Sequence, residues 1–129
     1  MPAGLDVPVG PALHHLALRV ADPERAAAFY TGLLGLPELR RERDPAGVRA
    51  VWLRAGEAVL MLERHLRGAG AQEGSAHVLV FATDDLGQAL KRLTEAGVAV
   101  DDRTAHTLYF HDPDGHRVGL SVFRFAARD

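Results

Sequence analysis

The sequence predicts an α+β protein built from two βαβββ modules, and three observations lead there. An alternating run that starts at a histidine, Leu13-His14-His15-Leu16-Ala17-Leu18-Arg19-Val20, recurs as Ser75-Ala76-His77-Val78-Leu79-Val80-Phe81-Ala82. Each run is followed by an aspartate and a helical stretch, and then by three strand-like segments separated by turn residues. His15 and His77 lie 62 positions apart (77 − 15), close to half of the 129-residue chain, which makes them equivalents across an internal repeat.

The elements follow in order. Residues 1–12 carry Pro2, Gly4, Pro8, Gly10 and Pro11 and read as an extended or disordered lead-in. The first module spans 13–66. Its opening strand alternates Leu16, Leu18 and Val20 with His15, Ala17 and Arg19. Asp22-Pro23-Glu24 supplies an N-cap, a proline at the first helical position and an acid at the positive end, so a helix is expected to run to Leu34 and stop at Gly35. Its Ala26, Phe29, Tyr30, Leu33 and Leu34 share the face that packs on a sheet. Three strands are expected at Glu38 to Arg43, Val48 to Arg54 and Ala58 to Glu63.

Residues 67–75 are Gly-rich and polar and read as a flexible connector. The second module spans 76–125, with a strand at His77 to Ala82 and a helix capped by Asp84 or Asp85 and ended by Gly97. Strands are expected at Val98 to Asp101, Thr107 to His111 and Arg117 to Phe125, with Asp112-Pro113-Asp114-Gly115 as the tight turn between the last two.

Composition narrows the function. A chain with 47% hydrophobic and 25% charged residues is an ordinary globular domain able to bury a core. The net charge of −2, with cations scattered along the chain, argues against a nucleic-acid partner. No segment approaches the ~20 apolar residues of a membrane span and the amino terminus lacks a signal peptide, so a cytoplasmic protein with no membrane partner is expected. Without cysteine there is no disulfide and no thiolate ligand, and any metal must be held by His, Asp, Glu or Tyr.

Three words of sequence carry a resemblance. His15-Leu16-Ala17-Leu18-Arg19-Val20-Ala21-Asp22, Phe29-Tyr30-Thr31-Gly32-Leu33-Leu34-Gly35-Leu36 and Phe110-His111-Asp112-Pro113-Asp114-Gly115-His116-Arg117 resemble the vicinal oxygen chelate superfamily, which groups glyoxalase, bleomycin resistance proteins and extradiol dioxygenases. The resemblance implies paired modules whose mixed sheets curl around a small-molecule cavity. It also implies one ligand from each of four strands in the metal-using members, at positions that match His15, Met61, His77 and Gly119. Met61 and Gly119 depart from that pattern, because a thioether is a poor ligand for a hard ion and glycine offers none. Related chains commonly form homodimers, with modules paired within a chain or exchanged between chains.

If His15 and His77 face the cavity, strand alternation adds Ala17, Arg19, Leu79 and Phe81, and sends His14 to the opposite face. Met61 brings Val59 and Glu63; Gly119 brings Arg117, Ser121 and Phe123; Trp52 and Tyr109 occupy matching positions in the two modules. Arg19, Trp52, Met61, Phe81, Tyr109, Ser121 and Phe123 are therefore the expected ligand-binding residues. The expected metal set is His15, His77 and Glu63, holding one divalent ion such as zinc, manganese, nickel or iron. Two functions follow for a protein that takes a small-molecule ligand or substrate. One is a metal-dependent lyase, isomerase or dioxygenase with an incomplete site; the other is a metal-free protein that sequesters a ligand in the manner of antibiotic resistance proteins.

Overall fold

The computed structural model describes residues 7–8, 10–66 and 77–125. The expected connector at 67–75 and most of the expected lead-in lie outside the described residues. Among the described residues, two four-stranded mixed sheets and two helices form two compact units, one of residues 12–66, 77 and 112–116, the other of 78–111 and 117–125.

The first unit contains β1 (His15–Arg19), α1 (Pro23–Leu34), β2 (Glu38–Asp44), β3 (Gly47–Ala55) and β4 (Ala58–Glu63), with strand order β1-β4-β3-β2. β1 runs parallel to β4, and the other neighbours are antiparallel. The helix begins as its sequence dictates. The Asp22 carboxylate accepts from the backbone N–H of Glu24 (3.1 Å) and Arg25 (3.3 Å), and Pro23 takes the first helical position, where its missing N–H costs nothing. It stops at Gly35, whose φ of 76° lets its own N–H reach the Thr31 carbonyl and Leu36 N–H reach that of Tyr30. Alternation sends Val51, Leu53, Leu60 and Leu62 to the helix side, where they and Ala26, Ala27 and Tyr30 are buried. The edge strand β2 is densely charged, with Arg41 paired to Glu38 and Glu24, and Arg49 to Glu42; such an edge does not invite a further strand.

The second unit contains β5 (Leu79–Ala82), α2 (Leu86–Glu95), β6 (Asp102–Arg103), β7 (Thr107–His111) and β8 (Arg117–Ser121), in the order β5-β8-β7-β6. Leu108, Phe110, Val118 and Leu120 are buried on the side facing Ala89 and Leu93 of α2. Three sequence expectations are corrected here. The strand expected at 98–101 is the two-residue β6, because Val98 N–H is committed to closing the helix on the Leu93 carbonyl and the ladder with β7 pairs only Asp102 and Arg103. The last strand ends at Ser121 rather than Phe125, since Ser121 pairs with Thr107, the first residue of β7. The first strand begins at Leu79 rather than His77.

The turn between β7 and β8 groups with the first unit. The Asp112 carboxylate, 5% exposed, accepts from the N–H groups of Asp114 and His116 (both 2.9 Å) and from the hydroxyl of fully buried Tyr30 (2.7 Å). Asp114 accepts from Ala21 N–H at 2.8 Å, and a ring nitrogen of His116 lies 2.9 Å from the Arg19 carbonyl. Gly115 completes the turn with a φ of 87°, a conformation costly for any residue with a Cβ. Among the described residues no helix is long and apolar enough to cross a membrane.

Burial, reinforced by the Asp112 and Asp114 carboxylates, raises the Tyr30 phenol far above its ordinary range. A raised acid keeps its proton in the folded state while the unfolded chain loses it, so the contribution is full below about pH 10 and falls away above it. Tyr30→Phe is expected to cost about 1.5–3 kcal/mol near neutrality, the worth of a hydrogen bond to a charged group. Urea denaturation between neutrality and strong alkali should show wild type losing its advantage over Tyr30→Phe above about pH 10; a constant difference would contradict this account.

Candidate functional site

The face of each sheet turned away from its own helix carries the chemistry. In the first unit the register places His15 beside Val59, Ala17 beside Met61 and Arg19 beside Glu63, with Trp52 opposite Met61 on β3. Five expected site residues, His15, Arg19, Trp52, Met61 and Glu63, thus share one face. Their polar groups are engaged with one another or with backbone. Trp52 Nε1–H donates to Glu63 Oε2 at 3.2 Å, and the Arg40 guanidinium lies 5.6 Å from the centre of the Trp52 ring. Arg19 Nε–H donates to the Leu66 carbonyl at 3.0 Å. His14, expected on the opposite face, precedes the ladder and turns to meet its neighbour, with the two Nδ1 atoms 2.9 Å apart.

In the second unit the expected faces are exchanged along one strand. β5 lies parallel to β8 with Leu79 beside Val118, Val80 beside Gly119, Phe81 beside Leu120 and Ala82 beside Ser121. Phe81 therefore belongs to the helix-facing side with Leu120, and Val80 and Ala82 take the open face. The helix cap explains the slip. Asp85, not Asp84, caps α2, its carboxylate accepting from Gln88 N–H at 3.1 Å. His15 stands seven residues before its cap Asp22, whereas the residue seven before Asp85 is Val78. His77 is one step out of register with His15, and alternation groups it with Leu79 and Phe81.

Gly119 bears on metal chemistry most directly. A Cβ built there would lie 3.2 Å from Tyr109 Cδ1, 3.2 Å from Val80 Cγ2 and 3.3 Å from the Leu108 carbonyl oxygen, a tight fit in which these neighbours would have to give by a few tenths of an ångström. Of the four positions at which the resemblance implies a ligand, His15 carries a strong donor on the open face, Met61 a thioether and Gly119 nothing, while His77 precedes β5 and lies outside the ladder with β8. Glu63 is held by the Trp52 indole. The donor set does not fit a divalent ion, and among the described residues no group of three or more His, Asp or Glu is disposed to hold one.

A groove of about 1130 Å³ opens on the second sheet. Tyr109, Thr107, Ser121, Val80 and Ala82 line it from the strands, and Phe123 and Phe125 from the segment beyond β8. The Tyr109 ring is stacked by the Arg117 guanidinium, 4.2 Å from its centre, and Arg117 reaches Asp102 at 3.4 Å. Phe123 meets Phe125 and His106 edge to face, at 4.9 and 5.4 Å between ring centres. Tyr109, Ser121 and Phe123, read from the sequence as binding residues, come together here, and Phe81 also borders the groove. Val80, Thr107 and Phe125 were missed; the doubled Asp84-Asp85 is the signal that could have placed Val80 on this face.

Comparisons with known proteins give the family and the fold. The family model described as Glyoxalase/Bleomycin resistance protein/Dioxygenase superfamily matches residues 12–120. The glutathione transferase FosA of Serratia marcescens is 29% identical over 90% of this chain and 84% of its own length. The lactoylglutathione lyase of Salmonella typhimurium is 26% identical over 90% of this chain and 96% of its own. The structure of TnmS3, an antibiotic binding protein from Streptomyces sp. CB03234, superposes with a TM-score of 0.69 at 27% identity, covering 89% of this chain and 98% of that one.

If Tyr109 and Val80 close the space at Gly119, Gly119→Ala should destabilise the protein by about 1–3 kcal/mol, the usual cost of overpacking. Adding Val80→Ala should recover part of that loss in chemical denaturation; strict additivity of the two changes would show that the space is not shared.

Proposed function

Since the chain belongs to the Glyoxalase/Bleomycin resistance protein/Dioxygenase superfamily, we propose that it binds a small organic molecule without a metal ion, in the groove of its second sheet, and acts by sequestering that ligand. The observation that carries this reading is Gly119, which offers no donor and is crowded by Tyr109 and Val80 at the position where the resemblance implies a metal ligand. Lewis-acid chemistry of the lyase, isomerase or dioxygenase kind needs at least three protein donors around one ion, and the two open faces offer His15 together with a glutamate already bonded to Trp52. The likeness to an antibiotic binding protein supports the same reading.

A groove of about 1130 Å³ suits a drug-sized molecule. Its lining is mixed, with aromatic and aliphatic side chains beside Thr83, Asp84, Thr107, Ser121 and Arg124, so that an occupant meets both apolar surface and polar groups.

The test is equilibrium dialysis of protein stripped with EDTA against a panel of small-molecule antibiotics, repeated after addition of zinc, manganese, nickel or ferrous iron. At least one compound should bind with the same affinity in the stripped and metal-supplemented protein, and Tyr109→Ala should weaken it about tenfold or more. Binding or turnover that appears only with a metal, and disappears in His15→Ala, would replace this reading with the metal-dependent one.

A further inference from the structure

Two hydroxyl groups in the groove determine what its occupant must offer. Thr107 and Ser121 face each other across β7 and β8, with Thr107 Oγ1 donating to Ser121 Oγ at 2.8 Å. The Phe123 N–H donates to the same Ser121 Oγ at 3.1 Å. A hydroxyl oxygen has one hydrogen and two acceptor positions. With both acceptor positions of Ser121 filled, its hydrogen is left over. Reversing the Thr107–Ser121 bond transfers the leftover hydrogen to Thr107 without removing it. The pair therefore offers the groove one O–H donor in either arrangement. Thr107 is buried and Ser121 half-buried, so Ser121 is the one that presents it. Water can accept this hydrogen in the free protein, and a ligand that covers the groove must supply an acceptor in its place or leave the donor unsatisfied.

The rest of the groove specifies the remainder of the molecule. Val80, Ala82, Phe123 and Phe125 line the groove beside the hydroxyl pair with apolar surface, and Tyr109 adds an aromatic ring that Arg117 stacks. Charge is balanced: Asp84 and Arg124 lie at the groove, one of each sign and both exposed. Arg117 is already occupied by the Tyr109 ring and by Asp102. A small phosphonate or carboxylate would find no cation set for it and would leave most of about 1130 Å³ unfilled. We propose that the groove recognises a neutral, flat, largely aromatic molecule through an acceptor oxygen, of the aryl ketone type, that receives the hydroxyl hydrogen of the Thr107–Ser121 pair. The inference rests on the groove being the ligand site.

The test uses two flat probes that differ in that oxygen, 9-fluorenone and fluorene, in equilibrium dialysis against the full chain. Wild type should hold fluorenone about tenfold more tightly than fluorene, the worth of one hydrogen bond at a buried site. Ser121→Ala with Thr107→Val should bring the ratio to about one by weakening fluorenone relative to fluorene, and Thr107→Ser, which keeps the hydroxyl, should retain the wild-type ratio. Thermal denaturation of each variant checks that it folds. Equal binding of the two probes by wild type would overturn the hydroxyl anchor and leave the groove as an apolar site. Binding of neither would overturn the anchor and the groove together. A change of sedimentation coefficient in Ser121→Ala would overturn both in favour of a surface between copies of the chain.

Discussion

The alternation of side chains along a β-strand is the constraint from which the chemistry of this protein follows. Each sheet covers one face with a single helix and leaves the other for function, so a residue is core or site according to whether its position is odd or even within its strand. In β4 the even positions Leu60 and Leu62 meet α1, while Val59, Met61 and Glu63 do not. In β8 Val118 and Leu120 are core, Ser121 borders the groove, and Gly119 lies buried under Tyr109 and Val80. A displacement of one residue exchanges the two sets entirely. A histidine in such a strand has no intrinsic meaning until its parity is known.

What fixes parity is the junction between strand and helix. Asp22 and Asp85 each end a strand and start a helix by accepting backbone N–H groups, and the distance back from the cap sets which strand residues share a face. The first module has one aspartate at that junction and could be read without ambiguity. The face shared by His15, Arg19, Met61 and Glu63, the opposing Trp52, the limits of β4 and β7, and the Gly35 stop are therefore legible in the sequence alone. The second module has Asp84 and Asp85 side by side, and a repeat aligned on its histidines chooses the wrong one. Phe81 was lost to the helix side for that reason, and Val80 was gained. The short β6 and the end of β8 were illegible for another reason. Both are set by where a partner strand stops offering hydrogen bonds, a tertiary fact with no local signature.

The turn at Asp112 shows a similar dependence of local sequence on distant structure. Asp-Pro-Asp-Gly reads as a tight turn from its residue types, and the structure agrees. Sequence could not show that the first aspartate is buried under Tyr30. A carboxylate nearly removed from water needs its oxygens satisfied, and Asp112 receives two backbone N–H groups of its own turn and one phenol from α1. The motif word around Tyr30 and the one around Asp112, which together carried the family resemblance, turn out to be the two halves of one buried contact.

The exchange of chemistry at Gly119 can be argued from volume alone. A paired-module protein that binds a metal needs a long acid on β8, and that acid needs the space above the sheet between its neighbours. Here Tyr109 comes within 3.2 Å of where even a Cβ would sit, and its ring is held from the far side by Arg117. A Cβ at 119 would require Tyr109 and Val80 to give by a few tenths of an ångström, and a longer acid would press further on the ring that Arg117 stacks. Position 119 and the Tyr109 ring are thus coupled through one tight volume, so a change at either is felt at the other.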